Sequence, residues 1–243
     1  RLTKQVEKKY MLPLPQECPE WLSTLCPDGI PVTSHMQLLH LRRMICSGVI
    51  KAKVWVPGQP EEYDKNGCVL TYKFRSEKED MIKEQLSCMP GHQQTIIWIS
   101  YTETAKQLYE MLKKEGFSVG LIYGGTGAKA KRVLIEDFIA GKVQHLISNP
   151  GCIGTGLDFI NATIHVAYEC TYSGIEYEQS RKRSHRISQT NPVTMYRYFG
   201  KNSIERKVLK ALDDKLDFMG ILFGEKHSFP KSDIKMKLHD DNV

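Results

Sequence analysis

Between Ser76 and Phe218 short β-branched apolar runs alternate with segments of helical spacing, joined by loops of a few residues. Thr95–Ser100 is a continuous apolar run, as expected for a strand buried on both faces. Ser76-x-x-Glu79 is a capping box, opening a helix that turns Met81, Ile82 and Leu86 inward. A helix over Thr102–Lys114 follows, with Ala105, Leu108 and Leu112 on one face and Gly116 closing it. Strand Phe117–Tyr123, helix Ala128–Ile139, and strands Val143–Ser148 and Thr163–Tyr168 come next. A helix around Ile175–Arg186, a strand Val193–Phe199 and a long helix Ile204–Phe218, capped by Asn202-x-x-Glu205, complete the run. Such alternation predicts an α/β fold built on a mainly parallel, doubly wound sheet. Ligands in such sheets sit at the carboxyl ends of the strands. The loops after Ser100, Tyr123, Ser148 and Tyr168 are therefore the ones to examine.

The flanks read differently. Arg1–Pro31 carries Pro13, Pro15, Pro19, Pro27 and Pro31 and reads as a strand followed by extended linker. Ser34–Ser47 has helical periodicity, with Met36, Leu39 and Ile45 able to share a face before Gly48 stops it. Lys51–Tyr72 reads as short strands and turns around Pro57-Gly58 and Asn66-Gly67. Glu225–Val243 is polar and Lys-containing with little periodicity. The chain divides accordingly into an N-terminal linker and helical extension (1–75), a main α/β lobe (76–224) and a polar tail (225–243). No internal repeat is present.

Composition excludes several classes. The 243 residues, 41% hydrophobic and 26% charged, suffice for a large core in an ordinary globular protein. The longest apolar stretch, around Ile96–Ile99, is far too short to span a bilayer, and Arg1–Tyr10 has no apolar run of a signal peptide behind it. Seven cysteines at irregular spacing, with no Cys-x-x-Cys, argue for reduced thiols in an intracellular protein, cytoplasmic or nuclear. Eight histidines form no His-x-x-x-His or His-Glu-x-x-His, and no Gly-x-Ser-x-Gly occurs, so neither a metal site nor a nucleophilic hydrolase is expected. The excess of 34 Lys+Arg over 28 Asp+Glu leaves +6, a weak pull toward polyanions. Placement says more than the sum: Arg181, Lys182, Arg183 and Arg186 stand together, and Arg197, Lys201, Arg206, Lys207 and Lys210 follow.

The segment Gln179-Ser-Arg-Lys-Arg183-Ser-His-Arg186-Ile-Ser-Gln189 is the strongest candidate for chemistry. Were its first part helical, Arg183 and Arg186 would project from one face. Two guanidiniums so held suit a triphosphate, since each is a permanently charged planar fork of donors. A basic solvated helix face is the competing reading of the same residues.

The surrounding sequence decides between them. The segment resembles motif VI of superfamily-two helicases in the Swi/Snf-like branch, Q-x-x-G-R-x-x-R-x-G-Q. Gln179, Arg183, Arg186 and Gln189 match it, and His185 and Ile187 fit its core; Lys182 and Ser188 replace the two glycines. Leu146–Phe159, with Gly154, Gly156, Leu157 and Asp158, resembles motif V. Thr95–Tyr101 resembles motif IV, although on its own the run is better explained as a core strand. Tyr123-Gly124-Gly125 resembles a short loop that touches the nucleic-acid backbone, or is simply a tight turn. Ile204–Phe218 resembles the helix that closes the lobe, and Arg42, Arg43, Ser47 and Gly48 stand at places comparable to those of an interlobe L-R-x-x-x-S-G stretch. The resemblance covers residues 34 to 220, and within the branch it leans toward the virus- and phage-type members, which would place a viral protein in the host cytoplasm.

This resemblance implies a RecA-like, three-layer α/β/α lobe, the second of two. It implies that Arg183 and Arg186, with Gln179, act on ATP as catalytic residues, and that Gly154, Gly156, Leu157 and Asp158 border the nucleotide. Ser100, Tyr101, Tyr123, Gly124, Gly125, Ser148, Asn149 and Gly151 would contact the nucleic-acid backbone, with DNA the expected partner. Gly124-Gly-Thr-Gly127-Ala-Lys129 lacks the Gly-Lys-Ser/Thr of a phosphate loop, and no Asp-Glu dipeptide occurs. ATP would therefore be shared with a first RecA-like lobe upstream of Arg1, and Mg2+ would be held there; a start without methionine fits a fragment that is inactive alone. Two alternatives stay open: a RecA-like binding module without catalysis, and an RNA-helicase lobe. Motif VI of RNA helicases usually reads H-R-x-G-R-x-G-R, which is not found here.

Overall fold

A computed structural model describes residues 11–12, 30–32, 35–54, 68–153, 159–169, 171–184, 189–200 and 203–223. The predicted linker, the turns at residues 55–67 and the polar tail lie largely or wholly outside them. In the N-terminal part, β1 (Met11–Leu12) pairs antiparallel with β2 (Ile30–Pro31). Helix α1 (His35–Cys46) leads through Gly48 into an antiparallel pair, β3 (Val49–Val54) and β4 (Cys68–Lys73). Gly48 adopts φ +79°, and a Cβ there would stand 2.4 Å from the Phe74 carbonyl oxygen. Only glycine meets both demands.

The main unit alternates as its apolar pattern predicts: α2 (Glu77–Ser87), β5 (Gln94–Trp98), α3 (Thr102–Lys114), β6 (Val119–Ile122), α4 (Ala128–Ile139), β7 (His145–Ser148), β8 (Ala162–Ala167), α5 (Gly174–Arg181), β9 (Thr194–Arg197) and α6 (Ile204–Phe223). Five strands form one sheet in the order β6-β7-β5-β8-β9, every pairing parallel. The central strand β5 is buried throughout. Its Ile97, with Ile99 beyond it, packs against Ile82 and Leu86 of α2 and Leu108 and Leu112 of α3. Ile96 and Trp98 point the other way, to Ile135 and Phe138 of α4 and to Ile153 and Phe159. Sheet between two covered faces gives the three-layer α/β/α arrangement of a RecA-like lobe.

Most boundaries follow local chemistry. Ser76 Oγ accepts from Lys78 N–H (3.3 Å), and the Glu79 carboxylate accepts from the Ser76 backbone N–H, which closes the predicted box. The strands run shorter than their apolar stretches, because pairing stops where a neighbour ends. Helix α6 continues past Gly220 to Phe223, five residues beyond the predicted end; one glycine costs a helix only about 1 kcal/mol. Its first turn is held by Ser203, whose Oγ accepts from Glu205 N–H (3.2 Å), while Asn202 lies outside the described residues. The extension packs on the lobe: Ser76 Oγ donates to Cys46 O (3.0 Å), and Lys51 pairs with Glu103 (3.1 Å).

Candidate functional site

The arginine-rich segment departs from its expected geometry. Ser173 caps α5, accepting from Glu176 N–H (3.2 Å), and the helix ends at Arg181 with Lys182 as its C-cap. Arg183 therefore lies beyond the helix, off the helical face predicted for it, and Arg186 lies outside the described residues. Ser180 Oγ turns back onto Tyr177 O (2.7 Å), and the next hydrogen bond, Arg183 N–H to Ser180 O, is a long one at 3.4 Å. Tertiary partners then take the chain over. Arg181 and Lys182 both face Glu178 (3.0 and 4.0 Å), so these two extra charges are partly spent within the helix. Gln179 is exposed on α5.

Arg183 is only 6% exposed. Its guanidinium donates to Ile153 O (3.2 Å), and its carbonyl accepts from Phe159 N–H (3.0 Å). Next to it Ser184 Oγ donates to Phe159 O (2.7 Å), and Gln189 Nε2 donates to Ile160 O (2.7 Å) and Ser184 O (3.3 Å). Residues 154–158, with Gly154, Gly156, Leu157 and Asp158, lie outside the described residues, and so does the 185–188 stretch with Arg186. Their flanks are nevertheless stapled together: Ile153, Phe159 and Ile160 border one stretch, Arg183, Ser184 and Gln189 the other. Two segments singled out separately in the sequence thus meet in space.

The remaining candidates line the carboxyl edge of the sheet in the order their strands dictate: Tyr123–Gly125 after β6, Ser148–Gly151 after β7, Ser100–Tyr101 after β5. Asn149 joins two of these loops, donating from Nδ2 to Ser100 O (3.1 Å) while Oδ1 accepts from Gly151 N–H (2.9 Å). Ser148 is buried and donates to Asn149 O (3.1 Å). These groups hold one another; the outward surface is made by Gly124, Gly125 and Gly151, all exposed. Tyr123–Thr126 is a tight turn, with Thr126 N–H on Tyr123 O (2.9 Å) and Tyr123 N–H on Thr126 Oγ1 (3.0 Å). The Lys106 ammonium sits 5.1 Å from the Tyr123 ring centre.

Several contacts at this edge were not foreseen in the sequence. Glu169, just past β8, accepts from the backbone N–H groups of both Ser100 and Tyr101 (2.9 Å each), with the hydroxyls of Ser47 and Thr104 facing the same carboxyl. Burial raises its pKa, against the pull of the Lys78 charge. Its one sequence signal is its place, next after the strand end expected at Tyr168. Arg43 of α1 lies 4.2 Å from the Tyr172 ring centre and 5.4 Å from that of Tyr101, and His40 meets Tyr101 edge-on at 4.7 Å. Burial, then the Arg43 charge, lowers the His40 pKa. The extension thereby touches the same loop. Among the described residues no three His, Cys, Asp or Glu side chains come together as a metal site, and no helix is long and apolar enough to cross a membrane.

A parallel five-stranded sheet with loops converging on its carboxyl edge, and an arginine segment stapled to the loop between β7 and β8, give the architecture of a RecA-like lobe. Residues 77–188 match the family model of the helicase conserved C-terminal domain. The ATP-dependent helicase fft1 of Schizosaccharomyces pombe is 26% identical over 143 residues, 58% of this chain and 15% of the relative. A Drosophila melanogaster homologue of the SWI/SNF-related, matrix-associated, actin-dependent regulator of chromatin subfamily A containing DEAD/H box 1 is 25% identical over 127 residues, 52% of this chain and 15% of its own length. The relatives are thus Swi/Snf-like superfamily-two helicases, of which the match spans a small fraction. In fold the chain is similar to the C-terminal part of the Fun30 ATPase domain, with a TM-score of 0.53 and 18% identity over 74% of this chain and 55% of that one.

Proposed function

We propose that the chain is the second motor lobe of an ATP-dependent DNA helicase or translocase. ATP, with its Mg2+, is bound by a first RecA-like lobe, and Arg186 reaches toward its phosphates from this one, while the buried Arg183 ties its segment to Ile153 O. The observation that carries the reading is the hydrogen-bonded joining of the 153–160 and 183–189 stretches. It brings the residues that flank Gly154 and Gly156 in the sequence against those that flank Arg186, and glycines let a backbone approach a nucleotide closely. A guanidinium so placed stabilises charge developing on the transferred phosphoryl group, with Gln179 and Asp158 bordering the same nucleotide.

The loops of the carboxyl edge, Ser100–Tyr101, Tyr123–Gly125 and Ser148–Gly151, grip the phosphates of one DNA strand. Closure on ATP and opening after hydrolysis then advance the strand, because the two lobes hold it in alternation. Residues 1–75 serve as the interlobe extension, 76–224 as the lobe and 225–243 as a tail, in an intracellular protein. DNA is favoured over RNA by the form of the arginine segment.

The test is Arg186→Ala in the full-length protein, with DNA-stimulated ATP turnover as the readout. Loss of an arginine finger lowers turnover on the order of 10³-fold or more, with folding intact by circular dichroism. Near-normal turnover would overturn the assignment.

A further inference from the structure

We infer that His165 is a positioning residue for the arginine segment, holding it to the sheet through Ser184; the inference rests on the reading of Arg183 and Arg186 given above. His165 stands on β8, buried at 1% exposure, between Trp98 of β5 and Ser184. Trp98 Nε1 donates to His165 Nδ1 at 3.0 Å, and His165 Nε2 lies 2.7 Å from Ser184 Oγ. An indole nitrogen only donates, so Nδ1 must accept and the ring proton must sit on Nε2. Nε2 then donates to Ser184 Oγ, and the Ser184 hydroxyl proton goes to Phe159 O (2.7 Å). Every bond in the chain has a forced direction. Burial lowers the His165 pKa to about 4, against a smaller upward pull from the Ala162 carbonyl, so the ring stays neutral near pH 7.

Ser184 is also where the arginine segment is anchored. Its neighbour Arg183 is pinned by Phe159 N–H and by Ile153 O, and its carbonyl takes the Gln189 amide. Ser184, held on the sheet by His165, and Gln189, which donates to Ser184 O, are thus the described residues on either side of the 185–188 stretch that holds Arg186. A displacement of about 1 Å in a group acting on a transition state costs on the order of 100-fold in rate.

A histidine that merely fills the core and one that positions the segment differ in how they respond to two near-isosteres. Gln carries its amide nitrogen about as far out as His Nε2 and keeps the Ser184 bond; Asn carries its amide oxygen about where Nδ1 sits and keeps the Trp98 bond. Each loses one buried hydrogen bond, so the two variants have similar stability. In the full-length protein, His165→Asn and Ser184→Ala lower DNA-stimulated kcat by about 10- to 100-fold with KM for ATP little changed, whereas His165→Gln stays within about threefold of wild type. Equal turnover for the Asn and Gln variants overturns the inference. So does turnover that follows melting temperature across the set. The nitrogen-15 signals of His165 in the unaltered protein give a readout that needs no variant. A protonated Nε2 and a bare Nδ1 at pH 7 are expected, and an Nδ1–H tautomer overturns the bonding scheme. Arg186→Ala run alongside keeps the two readings apart: intact turnover there removes the arginine reading itself, whereas collapse there with no Asn–Gln split removes only the role of His165.

Discussion

Lys78 and Glu205 form a buried ion pair, each 4% exposed, with Nζ 2.5 Å from Oε1. Lys78 Nζ also donates to Tyr168 O (3.0 Å), and Glu205 Oε2 accepts from Gly200 N–H (3.0 Å). Helix α2, the β8 exit and the start of α6 thus meet at one charge pair. Lys78→Met removes the cation and leaves a buried carboxylate with Gly200 N–H as its one donor among the described residues, beside a carbonyl that has lost the Lys78 ammonium. Breaking such a pair from one side costs about 3–5 kcal/mol. At about 2–4 °C per kcal/mol for a protein of this size, the melting temperature should fall by roughly 6–20 °C. Glu205→Leu should cost a similar amount from the other side. The double variant should recover most of the loss, because apolar replacement of both partners removes both desolvation penalties. Thermal unfolding followed by circular dichroism on the four proteins closes the cycle. A single variant melting within about 2 °C of wild type, or a double variant showing the sum of the two losses, would refute the reasoning.

Burial holds both His145 and His165 at a pKa of about 4, against the usual 6.5. Between pH 6.5 and 4 the unfolded chain takes up protons that the native state refuses. Their stabilisation is therefore complete above pH 6.5 and falls with acidification, by about 2 kcal/mol per histidine at pH 5. Burial raises the pKa of Glu79 and Glu169 and acts in the opposite sense, so the measurement compares variants: His145→Gln should flatten the loss between pH 7 and 5, and an unchanged slope would contradict the assignment. Gly48→Ala meets both a left-handed backbone and a carbonyl 2.4 Å from the new Cβ, and should cost about 2 kcal/mol or more in denaturant unfolding. Gly141→Ala, at φ +77° in open space, should cost about 1 kcal/mol. Glu169→Ala strips the Ser100 and Tyr101 N–H groups of their acceptor and should destabilise by about 2–4 kcal/mol, whereas Glu169→Gln keeps an acceptor oxygen there and should lose much less; equal losses would show that the carboxyl does not hold that loop.

What could be read from the sequence was local or periodic. The helices over Thr102–Lys114 and Ala128–Ile139 begin and end where the sequence analysis put them, because apolar spacing and the glycines beyond them act over one or two turns. The buried run around Ile96–Trp98 reads as a strand covered on both faces because it is short, continuous and β-branched. Strand alternation then placed the loops after β5, β6 and β7 along one edge without any knowledge of strand order. What stayed hidden depends on residues far apart in the chain. Helix α5 stops at Arg181, short of the expected Arg186, because Phe159 and His165 capture Ser184 more favourably than another helical turn would, and those partners stand 25 and 19 residues away. The 127 residues between Lys78 and Glu205, and the 67 between Trp98 and His165, leave no periodicity to detect. Glu169 gains its role only where the sheet sets it against Ser100 and Tyr101. Sequence alone determined which segments are sheet, which are helix and which loops share an edge, since period and turn chemistry act over a few residues. Only the tertiary structure decided which buried polar groups satisfy one another, because each buried donor takes whichever acceptor the packed layers bring within 3 Å or so.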